Sequence, residues 1–336
     1  MPSAIRLLPL CIVLVAAALG VAACGGDDDK LTVYSGRSEE LVGDLFEQFE
    51  KESGIKLEVR YGDSAELAAT LIEEGDNTPA DVFFSQDAGS LGAVEKAGLF
   101  QQLDEEIVAR VPARFRSPDG YWVGTSGRAR VIAYDKRELS EKDLPKSVLD
   151  LTDPKWKGRV GWAPTNASFQ AFVTALRLLD GDQAAEKWLK DMRANDVQRY
   201  ENNIAIRDAI ANGEIDAGLI NHYYVLEAID EQGPDYPVGL YFPPNGDIGA
   251  LVNVAGAGIL KASDKPQQAE QLIRFLLSRE GQQYFAEETK EYPLTAGVKP
   301  DPTLPPLNSI QQPDVDLTQL DDLRGTLDLI EQAGIL

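Results

Sequence analysis

The chain has 336 residues, 43% of them hydrophobic, and a formal net charge of −23. That length and apolar content suffice for two lobes. The acidic balance, with no Lys/Arg cluster interleaved with aromatics, excludes nucleic acid and anionic lipid headgroups as partners. The two cysteines, Cys11 and Cys24, both lie near the amino terminus, which leaves the folded part without a disulfide, a thiolate metal site or a cysteine nucleophile.

Residues 1–23 carry one basic side chain, Arg6, then an apolar run over 7–19 and small residues at Gly20, Ala22 and Ala23. This is a signal-peptide layout. Val21-Ala22-Ala23-Cys24 is similar to a bacterial lipobox, which implies lipidation of Cys24 and a tether over 24–30. An uncleaved membrane helix is the alternative, since 7–23 approaches the shortest spans. The small residues and the run Gly25-Gly26-Asp27-Asp28-Asp29 favour cleavage. The expected location is extracytoplasmic, anchored to the outer face of the cell membrane, or periplasmic in a Gram-negative source.

Beyond the tether, strands and helices alternate. Residues 31–34 read as a strand ending in the turn Ser35-Gly36. Leu41, Val42, Leu45, Phe46 and Phe49 share one helical face, which Gly54 stops. A strand at 56–60, a helix at 65–74 closed by Gly75, and an apolar strand at 80–84 follow. Ser85-Gln86-Asp87 sits at the carboxyl end of that strand, where α/β sheets place ligands. A second unit has strands at 130–134 and 159–162, helices at 169–179 and 182–195, a strand at 197–200, a helix at 204–211 and a strand at 215–220. Residues 251–260 read as a crossover strand. Helices at 266–278 and 281–288 belong to the returning lobe, 299–306 is a Pro-rich connection, and 317–332 reads as a single amphipathic helix. The pattern predicts an α/β protein of two lobes around a cleft that can close.

Enzyme signatures are largely missing. His222 is the only histidine, so a histidine triad or multi-histidine zinc site has nothing to build on beyond it. No nucleophile elbow, phosphate-binding P-loop or zincin string occurs. Candidate ligand groups lie at element ends: Ser35 to Ser38 and Gln86 in the first lobe, Arg128 and Arg130 near the crossing, then Tyr134. In the second lobe Asn166-Ala167-Ser168 precedes a helix and suits either an anion cradle or ordinary helix capping. Asn203 precedes another helix. Asn221-His222-Tyr223-Tyr224 follows a strand. Adjacent tyrosines reach one ligand only at a turn or first helical residue opening into a cleft, and their phenols are hard donors that a highly charged ion can deprotonate. From that tetrapeptide alone, plain packing is the simpler reading.

The segments Val33-Tyr34-Ser35-Gly36-Arg37, Glu74-Gly75-Asp76-Asn77-Thr78-Pro79-Ala80-Asp81-Val82-Phe83, Ser126-Gly127-Arg128-Ala129-Arg130-Val131, Asn212-Gly213-Glu214-Ile215-Asp216, Asn221-His222-Tyr223-Tyr224 and Glu291-Tyr292-Pro293-Leu294 occur in that order. With them the chain resembles the bacterial ferric-iron-binding proteins, substrate-binding components of ABC importers with a transferrin-like iron site. The resemblance implies a periplasmic-binding-protein-like fold (type II) that is not an enzyme. It implies a monomer, with an ABC permease and its ATPase as partners. It also implies Fe(III) on Tyr223 and Tyr224, with Tyr134 as a third phenolate. Ser38 and Gln86 stand where some members carry a histidine and a glutamate ligand, so the tyrosine-dominated subgroup is the one resembled, and Ser38 and Gln86 become extra first-lobe contacts. An exogenous anion completes the shell, carbonate being favoured over phosphate, with Arg37, Arg128 and Arg130 balancing it. Asn166, Ala167, Ser168, Asn203 and Asn221 match anion-binding positions of the histidine-type members. The position of His222 is not a ligand in that family. The lobes expected are 31–130 with 255–305, and 131–254 with 306–336. The alternatives are a binding protein for an anionic organic solute, such as an aminophosphonate, and an exported carboxylate-based hydrolase.

Overall fold

The computed structural model describes residues 30–336; the signal peptide, Cys24 and most of the tether lie outside the described residues. The first lobe opens with β1 (Leu31–Ser35), α1 (Glu39–Ser53), β2 (Leu57–Tyr61), α2 (Ser64–Glu74), β3 (Val82–Ser85) and α3 (Ala88–Lys96). The chain continues through a short α4 (Glu105–Val108) and the long β4 (Trp122–Asp135). The second lobe adds β5 (Val160–Trp162), α5 (Ala167–Asp180), α6 (Asp182–Ala194), β6 (Gln198–Arg199), α7 (Asn203–Ala211), β7 (Ala217–Asn221), α8 (Tyr223–Gln232) and β8 (Val238–Tyr241). The chain returns through β9 (Val252–Ile259), α9 (Pro266–Leu276), α10 (Arg279–Glu287), β10 (Tyr292–Pro293) and α11 (Leu323–Gln332).

The strand order is β2-β1-β3-β9-β4-β7-β5-β6, with β10 and β8 also on β4. β4 belongs to both lobes. Residues up to Ala129 pair with β9, with a bulge between Gly124 and Ser126, and from Arg130 onward β4 pairs with β7. The 130–134 strand is therefore the second half of a longer one. Its first half reads as a loop because Gly124-Thr125-Ser126-Gly127-Arg128 carries little strand propensity, although every residue of β4 is buried.

The amphipathic stretch at 317–332 is not one helix. A 3₁₀ turn, Leu317–Gln319, packs on α3, and α11 packs on α5 and α6. Asp322 restarts the helix by accepting from the Gly325 N–H at 3.1 Å, ordinary capping chemistry. Asp321 binds Lys96 of α3 at 2.6 Å, whereas Asp322 binds Arg177 of α5 at 2.9 Å. The two neighbours thus tie this segment to opposite lobes. Gly89 and Gly92 let it approach, because a Cβ at either would collide with the Leu320 or Thr318 carbonyl.

Beneath the crossing lies a buried charge pair. Arg37 Nη1 donates to both carboxylate oxygens of Glu291, at 3.1 and 2.9 Å, and the Ser126 hydroxyl donates to the same carboxylate at 2.6 Å. Burial alone would raise Glu291, but Arg37, Arg128 and Ser126 outweigh it and hold its carboxyl below the usual range. Glu291→Leu should strand the Arg37 charge and cost about 3–5 kcal/mol in urea unfolding, and Arg37→Met/Glu291→Leu should recover most of that loss. Equal stabilities for the single variant and the parent would remove the pair's structural role.

Candidate functional site

The tyrosine pair owes its position to a strand-to-helix turn. β7 ends at Asn221, and Tyr223 and Tyr224 are the first two residues of α8. Both face the interlobe cleft, with ring centroids 4.3 Å apart. Tyr223 and Asn203 are the polar neighbours of the Tyr224 phenol. Burial, followed by the neighbouring Tyr223, pushes the Tyr224 phenol above its usual value, while Arg128 and Asn203 pull the other way. Tyr224 therefore gives up its proton only to a strong local positive charge.

His222 holds this turn in place and has no free nitrogen for a metal. Its Nδ1 accepts the Ala129 N–H at 3.1 Å and its backbone N–H donates to the Ala129 carbonyl at 3.0 Å. That puts the ring proton on Nε2, which donates to the Lys290 carbonyl at 3.0 Å. Lys290 adopts a left-handed conformation (φ 55°), and its ammonium pairs with Asp230 of α8. Burial lowers His222 to about 4, so it is neutral at ordinary pH.

Around the tyrosines the cleft is lined by Gly36, Gln86 and Arg128 from the first lobe and Asn166, Ala167 and Ser168 from the second. Asn166 caps α5: its Oδ1 accepts from the Ser168 N–H at 3.0 Å and the Ser168 hydroxyl at 2.6 Å. Asn203 Nδ2 also donates to Asn166 Oδ1, at 3.1 Å. The loop therefore caps α5 and also lines the cleft. Arg130 and Asn221 stand behind the wall: Arg130 Nη1 donates to Ser168 Oγ (3.0 Å) and Asn221 Oδ1 (3.3 Å). Burial lowers Arg130 to about 10, against the opposing pull of Tyr223 and Tyr224. Arg128 donates to the Gln86 carbonyl, while Arg128 Nε and Gln86 Oε1 are buried without a partner.

Besides Arg130, Asn203 and Asn221 behind the wall, three expected contacts lie away from the cleft. Arg37 is fully buried on Glu291, so its charge is already neutralised. Ser38 is the exposed N-cap of α1. Tyr134 lies four residues beyond Arg130 along β4, roughly 13 Å in an extended strand, and its ring covers Gly239 of β8. Burial, then Glu141, raises its phenol. In the other direction, Asn253 lines the cleft unforeseen; a lone amide inside the apolar run at 251–260 was its signal. Leu323, Arg324 and Leu327 of α11 also line it, and nothing local marks them.

Residues 77–317 match the family model of the bacterial extracellular solute-binding proteins, and the chain belongs to that family. Among its relatives, the Fe(3+)-binding periplasmic protein of Serratia marcescens is 35% identical over 321 residues, covering 95% of this chain and 94% of the relative. The major ferric iron-binding protein of Neisseria meningitidis serogroup B is 38% identical over 328 residues, covering 96% and 97%. The structure of iron-bound HitA from Pseudomonas aeruginosa superposes with a TM-score of 0.84 at 36% identity, covering 91% of this chain and 99% of that one. Trichodesmium IdiA (FutA), in complex with iron and citrate, gives 0.80 at 30%, with the same coverage. The fold is the two-lobe fold of these binding proteins.

A prediction follows for the iron-free protein. His222 has a folded value below its unfolded one, so the unfolded chain takes up the proton first as pH falls. Stability is full above about pH 6.5 and declines towards about pH 4, by on the order of 3 kcal/mol from this group. Urea midpoints measured between pH 7 and 4 should fall more steeply for the parent than for His222→Gln. Parallel pH profiles would contradict the neutral, buried assignment.

Proposed function

We propose that this chain binds Fe(III) in its interlobe cleft outside the cytoplasm and delivers it to an ABC permease and its ATPase. The observation that carries this is the Tyr223–Tyr224 pair at the start of α8, aimed into the cleft opposite Gln86 and Arg128. The relatives named for ferric iron support it. Two adjacent phenols in a partly desolvated wall become strong hard donors once a trivalent ion displaces their protons.

Each neighbour then has a task. Asn203 and Arg130 fix Asn166 and Ser168, and His222 keeps α8 registered on the crossing strand. An exogenous oxygen-donor anion sits between Arg128 and the Asn166-Ala167-Ser168 turn, where a guanidinium faces the positive end of α5. With Arg37 withdrawn onto Glu291, the expected carbonate site loses one of its arginines, and Arg128 becomes the principal counter-charge. We further propose that 31–130 with 255–305 moves against 131–254 with 306–336, a motion that must break or stretch the Asp321–Lys96 pair, and that lipidated Cys24 tethers a monomer to the membrane. A hydrolase reading has less support: on the cleft wall, Asp63 and Asp87 cap helices and Asp321 pairs with Lys96.

The iron-loaded protein should show a visible phenolate-to-iron charge-transfer band. Tyr223→Phe and Tyr224→Phe should each abolish or strongly shift it and weaken iron binding by at least on the order of 100-fold, while Tyr134→Phe should leave it unchanged. An unchanged band in either of the first two variants would sink the site. Acidification should release iron, because protons compete for the phenolates; iron retention that is flat from neutral to acidic pH in a competition titration would contradict phenolate ligation.

A further inference from the structure

The cavity beside the tyrosines is larger than an ion and a small oxyanion need. It measures about 530 Å³, and its outer walls are apolar helix faces from opposite lobes. Ala65, Ala69 and Ile72 of α2 form one wall, with Ile72 46% exposed. From Ser64 to Ile72 the cavity runs roughly 12 Å along the helix. Leu323 and Leu327, one turn apart on α11, form the other wall, with the exposed guanidinium of Arg324 beside them.

Protein donors at the inner end are few. Among the described residues no group of three or more His, Cys, Asp or Glu could hold a metal. The cleft carboxylates are committed to helix caps or to Lys96, and Tyr134 lies elsewhere. Two phenols remain, with the unpartnered Gln86 amide oxygen. A hard ion in octahedral geometry takes about six oxygen donors, so roughly half of the shell or more must come with the ligand. Several small anions would leave the apolar walls facing water. A single multidentate ligand with an apolar body fills the donor shortage and covers those walls. Arg128 and Arg324 supply positive charge along its path in an otherwise acidic chain.

We propose that the cleft holds Fe(III) as a chelate of an anionic aromatic oxygen-donor ligand of the catecholate or salicylate class. The donor end meets Tyr223, Tyr224 and Arg128, and the ring lies between Ile72 and Leu327. This rests on the Fe(III) reading of the same cleft and names the form in which the iron is held. In the test, iron-free protein is titrated with Fe(III) supplied either as its 2,3-dihydroxybenzoate complex or as its nitrilotriacetate complex. The parent, Ile72→Glu and Ile72→Glu/Leu327→Glu are compared by calorimetry, and ligand and iron are assayed after gel filtration. The parent should retain the aromatic ligand with its iron and prefer that complex by about tenfold or more. The ratio of the two affinities should fall about tenfold in the double variant and part-way in Ile72→Glu. Iron retained while the aromatic ligand elutes free, or a ratio unchanged by the substitutions, would overturn the proposal and leave the walls to close on each other. Absence of a phenolate-to-iron charge-transfer band with the nitrilotriacetate source, whose ligand brings no such band, would overturn the Fe(III) reading as well.

Discussion

One strand sets the geometry of everything that faces the cleft. β4 leaves the first-lobe sheet after Ala129 and enters the second-lobe sheet at Arg130, so Arg128 and Arg130, two residues apart, take different surroundings. Arg128 lines the cleft; Arg130 braces Ser168 and Asn221 from behind. His222 grips Ala129 at the changeover through its Nδ1 and its backbone N–H, and reaches the Lys290 carbonyl with Nε2. Any movement of the lobes must therefore be accommodated by backbone that also carries the tyrosines. Neutral, fully bonded imidazole is suited to that task, since a charged ring is costly at a fully buried position.

The arginines show how little residue type alone decides. Arg37, Arg128 and Arg130 are all buried, and all three were plausible anion contacts. Arg37 instead closes on Glu291, so the segments around Ser35-Gly36-Arg37, Ser126 and Glu291-Tyr292 form one support beneath the cleft. Their joint presence in the chain is explained by that support as much as by ligand contact. The chain's many acidic groups are mostly on the surface, and the charges that matter to the site are a handful of guanidiniums shielded from them.

Much of this was legible in the sequence because local rules and tertiary structure agree. The apolar face of α1, the buried β3 and the turn before α8 follow from periodicity and from the requirement that neighbouring tyrosines share a ligand only at such a turn. What escaped was set by distant partners. The first half of β4 is a strand because β9 and β10 flank it, whatever its own Gly and Ser content. α11 reaches the cleft because Asp321 and Asp322 bind opposite lobes. Tyr134 carries the right chemistry, but the pitch of an extended strand takes it past the cleft, and no short-range signal reports that distance.

The insertion of β9 between β3 and β4 has a consequence for how the molecule comes into being. Its residues, 252–259, must pair with strands that begin at 82 and 122. A chain emerging amino terminus first thus holds two apolar strand edges open while more than a hundred further residues appear. Such late closure of distant pairings favours slow assembly and leaves edges able to pair wrongly. A holding chaperone would have to act on β3 and β4 in that interval, before β9 arrives.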